Sequence, residues 1–126
     1  MPSPNQQLGL EGQRVAQYFL EKKGYQVLTQ NYAAQGGEID LIAWDVTQNC
    51  FALVEVKTRR SLDFGYAEES ITRNKVRFMN RAAARYFFKE LKLPALPDYE
   101  IHAITVFKKE GSYKISHFKN VGIEWQ

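Results

Sequence analysis

The sequence predicts an α/β domain with a mixed central sheet and helices on both faces. One segment with helical periodicity is followed by three strand-like segments, a long second helix and a returning strand. A helical crossover joins parallel strands, whereas short turns join antiparallel ones. The expected order is therefore αβββαβ, with a further edge strand at the end.

Chain length and composition indicate one domain with a substantial core. The 126 residues, 44% of them hydrophobic, fit a single domain. Two prolines and several polar residues over positions 1–7 predict a flexible N-terminal arm. We therefore expect the single domain to span residues 8–126.

Charge and cysteine content limit the classes of function. The net charge of +3 and the pI near 9.0 permit a polyanionic partner without requiring one. Cys50 is the only cysteine, which excludes an intramolecular disulfide and a zinc site built from several cysteines. The chain lacks an apolar run of about 18 residues and a signal-peptide pattern. We expect a cytoplasmic protein without a membrane partner.

The predicted elements follow hydrophobic periodicity and the residues that end helices. Apolar residues recur at helical spacing from Leu8 to Lys23, and Gly24 fits the helix end. The long second helix should run from Ala67 or Glu68 to Leu91, before Pro94. Strands are expected at Tyr25–Tyr32, Glu38–Trp44, Phe51–Lys57, Tyr99–Lys108 and Tyr113–Phe118.

The second and third predicted strands carry acids among apolar residues. Turn-forming residues between them predict a β-hairpin. If Thr47 and Gln48 form a two-residue loop, cross-strand partners have numbers that sum to about 95, by strand geometry. Asp40 then lies opposite Glu55. By the same alternation Ile39 should lie with Leu41 on the other face of the sheet.

Opposed carboxylates would favour a cation between them. At about 5 Å they repel by roughly 3 kcal/mol at an effective dielectric near 20. Mg²⁺ and Ca²⁺ prefer such oxygen ligands. Lys57, on the same face as Glu55, could stabilise an anionic transition state or hold a water near deprotonation. The alternative is a solvent-facing hairpin in which Glu38 and Lys57 form an ordinary ion pair.

Basic residues recur every fourth position along the second helix. They drift by about 40° per step and therefore form one ribbon. It is either a solvated helix face or a set of phosphate contacts, which Lys57 and the basic residues beside it would extend. The candidate nucleic-acid-binding residues are Arg59, Arg60, Arg73, Lys75, Arg77 and Arg81.

Several segments resemble the YraN family, which is similar to the restriction-endonuclease-like and Holliday-junction-resolvase-like nucleases. The combination GEIDLI at Gly37–Ile42 with VEVKTR at Val54–Arg59 is more specific than two acids and a lysine alone. Further matches occur at Gly12, Leu20–Tyr25, Asn31–Tyr32, Phe64–Gly65 and Lys75. The resemblance covers about Gly9–Tyr86 and implies a restriction-endonuclease-like αβββαβ core.

The resemblance also implies a Mg²⁺ or Mn²⁺ site. Asp40 and Glu55 would hold the ion, with the main-chain carbonyl of Val56 as a further ligand. Lys57 would orient or activate the attacking water, and Glu38 would be a supporting acid. The family usually carries an acid after the first-helix glycine, where this chain has Gln13.

The third metal ligand is therefore open between Gln13 and Glu11. A second departure lies near the fourth strand, where His102 stands in place of a family acid. Both His102 and His117 lie in predicted strands, and we interpret them as structural. Cys50 at the hairpin turn is interpreted as an incidental thiol.

Three hypotheses follow. The first is a metal-dependent endonuclease that acts on DNA, with branched or structured DNA among the candidates. The second is a non-catalytic nucleic-acid-binding or scaffold module on the same fold. The third is an adaptor that forms a homodimer through an edge strand or the apolar C-terminal tail.

Overall fold

The first helix, α1, spans Pro4–Lys22 in the computed structural model, which describes residues 1–60 and 71–122. Ser3 caps it, since its hydroxyl accepts a hydrogen bond from the Gln6 N–H and its own N–H donates to the Gln6 side chain. Pro4 has its φ already suited to a first helical residue. The prediction of a loose arm is therefore wrong for residues 4–7, which are helical.

Within the described residues, five strands form one sheet, in which their spatial order follows the chain. The third and fourth strands are parallel, and the other neighbours are antiparallel. The predicted mixed sheet and αβββαβ order with an additional edge strand are confirmed. The strands are β1 (Tyr25–Ala34), β2 (Gly37–Asp45), β3 (Cys50–Arg59), β4 (Tyr99–Lys109) and β5 (Ser112–Phe118).

The second helix, α2, spans Arg73–Arg85 and continues as a π-helical turn at Tyr86–Glu90. Thr72 caps it, and its hydroxyl accepts a hydrogen bond from the Lys75 N–H. The predicted start at Ala67 or Glu68 lies outside the described residues. A helix continuous through positions 71–72 is wrong, because α2 begins only after the Thr72 cap.

The two helices cover opposite faces of the sheet, as predicted. Each face has its own cluster of buried apolar side chains. The α1 side contains Ala16, Leu20, Leu41, Val54 and Ile104, and the α2 side contains Ile42, Leu53, Val76, Met79 and Ile101. Neither described helix combines the length and apolar character that crossing a membrane requires.

The register between β2 and β3 is the predicted one, although the turn is longer. The backbone pairs run from Leu41–Val54 to Asp45–Cys50. Four residues, 46–49, form the loop instead of two, because the Asp45 carboxylate accepts hydrogen bonds from two loop N–H groups. Asn49 completes the turn at a φ of 53°. Both loops are centred on Thr47–Gln48, so the register does not change.

Candidate metal and catalytic site

The site lies where β2 and β3 stop pairing. The last pair at this end of the ladder is Leu41–Val54. At the next position the contact between the strands is made by a side chain. The Val56 N–H donates a hydrogen bond to Asp40 Oδ2 at 2.7 Å. Continuing the register sets Asp40 opposite Glu55. The two predicted acids therefore meet at the open end of the hairpin.

Side-chain alternation along β2 changes at Asp40. Ile39 packs in the α2-side core, whereas Leu41 packs in the α1-side core. The prediction that both lie on one face is wrong for Ile39. On the neighbouring strand, Asn31 has a φ of 51°, and the β1–β2 ladder omits the pair that it would form with Asp40. Asp40 therefore has no regular ladder partner in either neighbouring strand, β1 or β3.

Burial and the neighbouring carboxylate both disfavour the charged form of Asp40. Burial is the larger cause, and the charge of Glu55 adds to it, so the pKa of Asp40 is raised from 3.8 to about 6. Its hydrogen bond from the Val56 N–H acts in the opposite direction. Glu55 itself is only 6% exposed. A cation between the two carboxylates would relieve their repulsion.

Two lysines contact Glu55, one on each carboxylate oxygen. Lys57 Nζ lies 3.6 Å from Oε2, and Lys75 Nζ lies 3.5 Å from Oε1. Lys57 thus pairs with Glu55 and not with Glu38, the partner expected for an ordinary hairpin. We predicted a phosphate contact for Lys75. Here Lys75 also donates a hydrogen bond to the Glu38 carbonyl at 3.0 Å.

A groove of about 1070 Å³ runs beside Asp40 between α1 and the ends of β2 and β3, and Glu55 is not among the described residues that line it. It brings together predicted site residues from three separate parts of the sequence. Its polar wall contains Asn5, Gln6, Gln13, Asn31, Glu38, Asp40, Lys57, Thr58, Arg59 and Arg60, and Val56 also lines it. The volume is at the upper end of the range for ligand-binding clefts.

The two candidates for a third ligand point in different directions. Gln13 lines the groove beside Asp40. Glu11 pairs with Lys108 at 2.8 Å and accepts a hydrogen bond from the Tyr113 hydroxyl. The Lys108 hydrogen bond is the largest cause that lowers the pKa of Glu11. Glu11 therefore joins α1 to the β4–β5 hairpin, and Gln13 is the side chain near the acids.

Close contact between α1 and β3 sets the position of Gln13. Gly12 is buried against Thr58, and a Cβ at position 12 would lie 1.8 Å from the Thr58 Oγ1. No side chain fits in that space without movement of the helix or the strand. Glycine at position 12 therefore permits α1 to form one wall of the groove.

Five of the six predicted basic residues fall into two groups, and Lys75 belongs to neither. Arg59 ends β3, Arg60 follows it, and both line the groove. Arg73, Arg77 and Arg81 are exposed on α2. Lys75 differs from the exposed arginines because it is partly buried and contacts Glu55.

The two histidines belong to a partly buried polar chain at another place in the sheet, in which only His102 is fully buried. His102 lies 3.0 Å from Glu100 and 2.9 Å from His117, which lies 3.3 Å from Lys23. Burial is the largest cause that lowers the pKa of both histidines, to about 3 for His117. Neutral imidazoles can donate in sequence toward Glu100, so the chain has a complete hydrogen-bonding role without a ligand.

The carboxylates of Asp40 and Glu55 at the open end of the β2–β3 hairpin are oxygen donors of the kind that a hard divalent cation prefers. Within residues 1–60 and 71–122 there is no group of three or more His, Cys, Asp or Glu side chains arranged to hold a metal ion. Mg²⁺, however, is commonly held by one or two carboxylates, with water and substrate phosphate supplying its other ligands. Asp40 and Glu55 would supply those two carboxylates, and Gln13 and Val56 line the groove beside Asp40.

Sequence comparison assigns the family. The model of Uncharacterised protein family UPF0102 matches residues 12–107, which include Gln13, Glu38, Asp40, Glu55, Lys57 and Lys75. This chain belongs to the UPF0102 family. UPF0102 is the YraN family, a member of the restriction-endonuclease-like superfamily, so the predicted resemblance is confirmed.

UPF0102 relatives match over most of their length. A UPF0102 protein of Syntrophomonas wolfei is 34% identical over 116 residues, which cover 92% of this chain and 97% of the relative. One of Herpetosiphon aurantiacus is 34% identical over 126 residues, covering 98% and 100%. UPF0102 protein CT2262 of Chlorobaculum tepidum is 47% identical over 81 residues, covering 64% and 61%. These names state the family and no activity.

Proposed function

We propose that this chain is a metal-dependent endonuclease that hydrolyses phosphodiester bonds in DNA. The observation that carries the proposal is the pairing of Asp40 with Glu55 at the end of the β2–β3 ladder, beside Lys57. Burial and mutual repulsion oppose charge on Asp40. If the hairpin served stability alone, a neutral residue at position 40 would make it more stable.

Asp40 and Glu55 are the proposed ligands for Mg²⁺ or Mn²⁺, with the Val56 carbonyl as a further oxygen. The ion would stabilise negative charge on the scissile phosphate and lower the pKa of a bound water. Asp40 is oriented for this role by the Val56 N–H, which fixes one carboxylate oxygen at 2.7 Å. Glu38, exposed at the groove, is a supporting acid and not a primary ligand.

Lys57 is the proposed group that acts on water or phosphate. It lines the groove, and its side chain is 31% exposed, so its ammonium is accessible to a substrate. A positioned ammonium stabilises charge that develops on phosphate oxygens and orients an attacking water. Its ion pair with Glu55 holds it next to the carboxylates.

The proposed DNA-contacting residues lie in the groove wall and on α2. Arg59 and Arg60 lie in the groove wall, and Arg73, Arg77 and Arg81 provide exposed cations on the helix. Arginine side chains bind phosphate oxygens through charge-assisted hydrogen bonds. Such contacts favour a polyanion without specifying its sequence.

Two observations favour a second candidate, a non-catalytic nucleic-acid-binding module. Gln13 supplies an amide where the family usually has an acid, and an amide is a weaker ligand for Mg²⁺ than a carboxylate. Two lysines already contact Glu55. The same basic surface would then bind nucleic acid with the site inactive.

Cleavage and binding assays separate these candidates. The chain is incubated with duplex, single-stranded and four-way branched DNA in Mg²⁺, in Mn²⁺ and in a chelator. We expect metal-dependent cleavage of at least one substrate, and DNA binding that weakens with salt in the chelator. Salt-dependent binding without cleavage in either metal would support the non-catalytic module and contradict the endonuclease.

A further inference from the structure

The charges around Glu55 are balanced by the chain itself. Asp40 and Glu55 supply two carboxylates, and Lys57 and Lys75 supply two ammonium groups. Lys57 and Lys75 each lie within 3.6 Å of a Glu55 oxygen. Any cation that Glu55 binds must therefore compete with lysines that are part of the fold.

Lys75 differs from Lys57 in its position. Lys57 lines the groove, whereas Lys75 comes from the first turn of α2 and is not among the described residues that line it. Its ammonium donates to the Glu38 carbonyl at 3.0 Å and lies 5.1 Å from the centre of the Phe78 ring. These contacts hold Lys75 against the protein, on the α2 side of Glu55.

We propose that Lys75 is a positioning residue that serves as an internal counter-ion for Glu55 and keeps divalent-cation binding weak until substrate arrives. The inference rests on the proposed metal site. In this role Lys75 does not contact DNA. Its ammonium holds the Glu55 carboxylate next to Asp40 and repels a second cation at that carboxylate. Phosphate oxygens of a bound substrate would offset that opposition by adding negative charge.

Electrostatics determine the expected direction of the effect. The Lys75 ammonium is 3.5 Å from a Glu55 oxygen, so an ion bound by that oxygen would lie at about 6 Å or less from it. A unit charge at about 6 Å changes divalent-cation affinity roughly tenfold at the dielectric of bulk water, and roughly a hundredfold at about half that dielectric, which is closer to the surroundings of the buried Glu55. Freeing the Glu55 side chain opposes this by only a few-fold. Removing the charge should therefore tighten metal binding.

The test is Mn²⁺ binding by the DNA-free full chain, followed by electron paramagnetic resonance of free Mn²⁺. Lys75→Met should bind Mn²⁺ at least tenfold more tightly than the parent, and Lys75→Arg, which keeps the charge, should stay within about threefold. Adding Glu55→Gln to Lys75→Met should remove the gain. Lys89→Met is the matched control, because it removes a lysine charge from the exposed far end of the same helix.

Unchanged or weaker Mn²⁺ binding in Lys75→Met would overturn the inference, as would an equal gain in Lys89→Met or no detectable binding in any variant. Circular dichroism monitors folding, and Lys75→Gln is the second variant if the methionine variant unfolds. Unfolding of both would assign Lys75 a purely structural role and overturn the inference. Tightened Mn²⁺ binding by a chain that cuts no DNA would support the inference while contradicting the endonuclease, so the two failures are distinguishable.

Discussion

Asp40→Asn should abolish DNA cleavage, with a loss of about a thousandfold or more in rate, while the chain stays folded. Asparagine keeps the shape of the side chain and an oxygen that can accept the Val56 N–H hydrogen bond. It removes the negative charge that we assign to metal binding. Cleavage rates in saturating Mn²⁺ measure the effect on whichever DNA the parent cuts.

The same substitution should stabilise the fold at pH 8. Because the pKa of Asp40 is raised above its unfolded value, the folded chain binds more protons between about pH 4 and 6, and stability falls as pH rises through that window. A pKa of about 6 in place of 3.8 opposes the ionised form by roughly 3 kcal/mol. Partial exposure reduces this figure, so we expect a gain of about 2 kcal/mol at pH 8 and none near pH 4.

Asp98→Asn provides the matched control, since it makes the same chemical change at an exposed position before β4. It should leave both the cleavage rate and the pH dependence of unfolding close to those of the parent. Denaturant unfolding of all three proteins from pH 4 to 8 measures the stability difference. An Asp40→Asn chain that is destabilised at pH 8 would contradict the described electrostatics, whatever its activity.

Gly12→Ala should disrupt the site from a distance. The added Cβ would lie 1.8 Å from the Thr58 Oγ1 and 2.8 Å from the Thr58 Cβ, so α1 and β3 must separate. Overpacking of this kind costs about 1–3 kcal/mol. Since α1 forms one wall of the groove, we expect cleavage to fall with stability. Thermal unfolding and the cleavage assay measure the two effects.

Gly9→Ala is the matched control for Gly12→Ala, because it makes the same chemical change without a clash. Gly9 lies on the same helix, and a Cβ there would meet no atom within 4 Å. Alanine in a helix is favoured over glycine by about 1 kcal/mol, so Gly9→Ala should stabilise the chain. Thr58→Ala should partly rescue Gly12→Ala, because it removes the atoms nearest to the new Cβ. Equal stability of Gly9→Ala and Gly12→Ala would show that the contact between position 12 and Thr58 does not limit the side chain at position 12.

The pairing of the two acids was predictable because it depends on local rules. Strand alternation and the centre of the hairpin turn fix the opposition of Asp40 and Glu55, and a four-residue loop preserves a register that was derived for two residues. The position of Ile39 was not predictable in the same way. The change at Asp40 depends on an irregularity in the neighbouring strand, at Asn31.

The start of α1 was missed although its signal is present in the sequence. Ser3 and Gln6 form a capping box, and Pro4 fits the first helical position. The polar composition of the first seven residues led instead to the prediction of a loose arm. Helix-capping residues are thus more informative at this terminus than polarity.

The contact between Lys75 and Glu55 could not be derived from periodicity. Lys75 lies between Arg73 and Arg77 but off the four-residue spacing of the α2 ribbon, and the sequence alone predicts it as an additional phosphate contact. Its actual partner depends on how α2 lies across the sheet after the β3–β4 crossover. Likewise, the chain from Glu100 through His102 to His117 requires the β4–β5 register, which brings together residues that are distant in sequence.

The most direct test of the proposed metal site is anomalous diffraction from crystals of the full chain in saturating Mn²⁺, compared with crystals of Asp40→Asn. We predict an anomalous peak in contact with the carboxylates of Asp40 and Glu55 in the parent, and its loss in the variant. A fully occupied peak elsewhere, for example at His102 and His117, or no peak at the two acids, would contradict the metal site on which the endonuclease proposal depends.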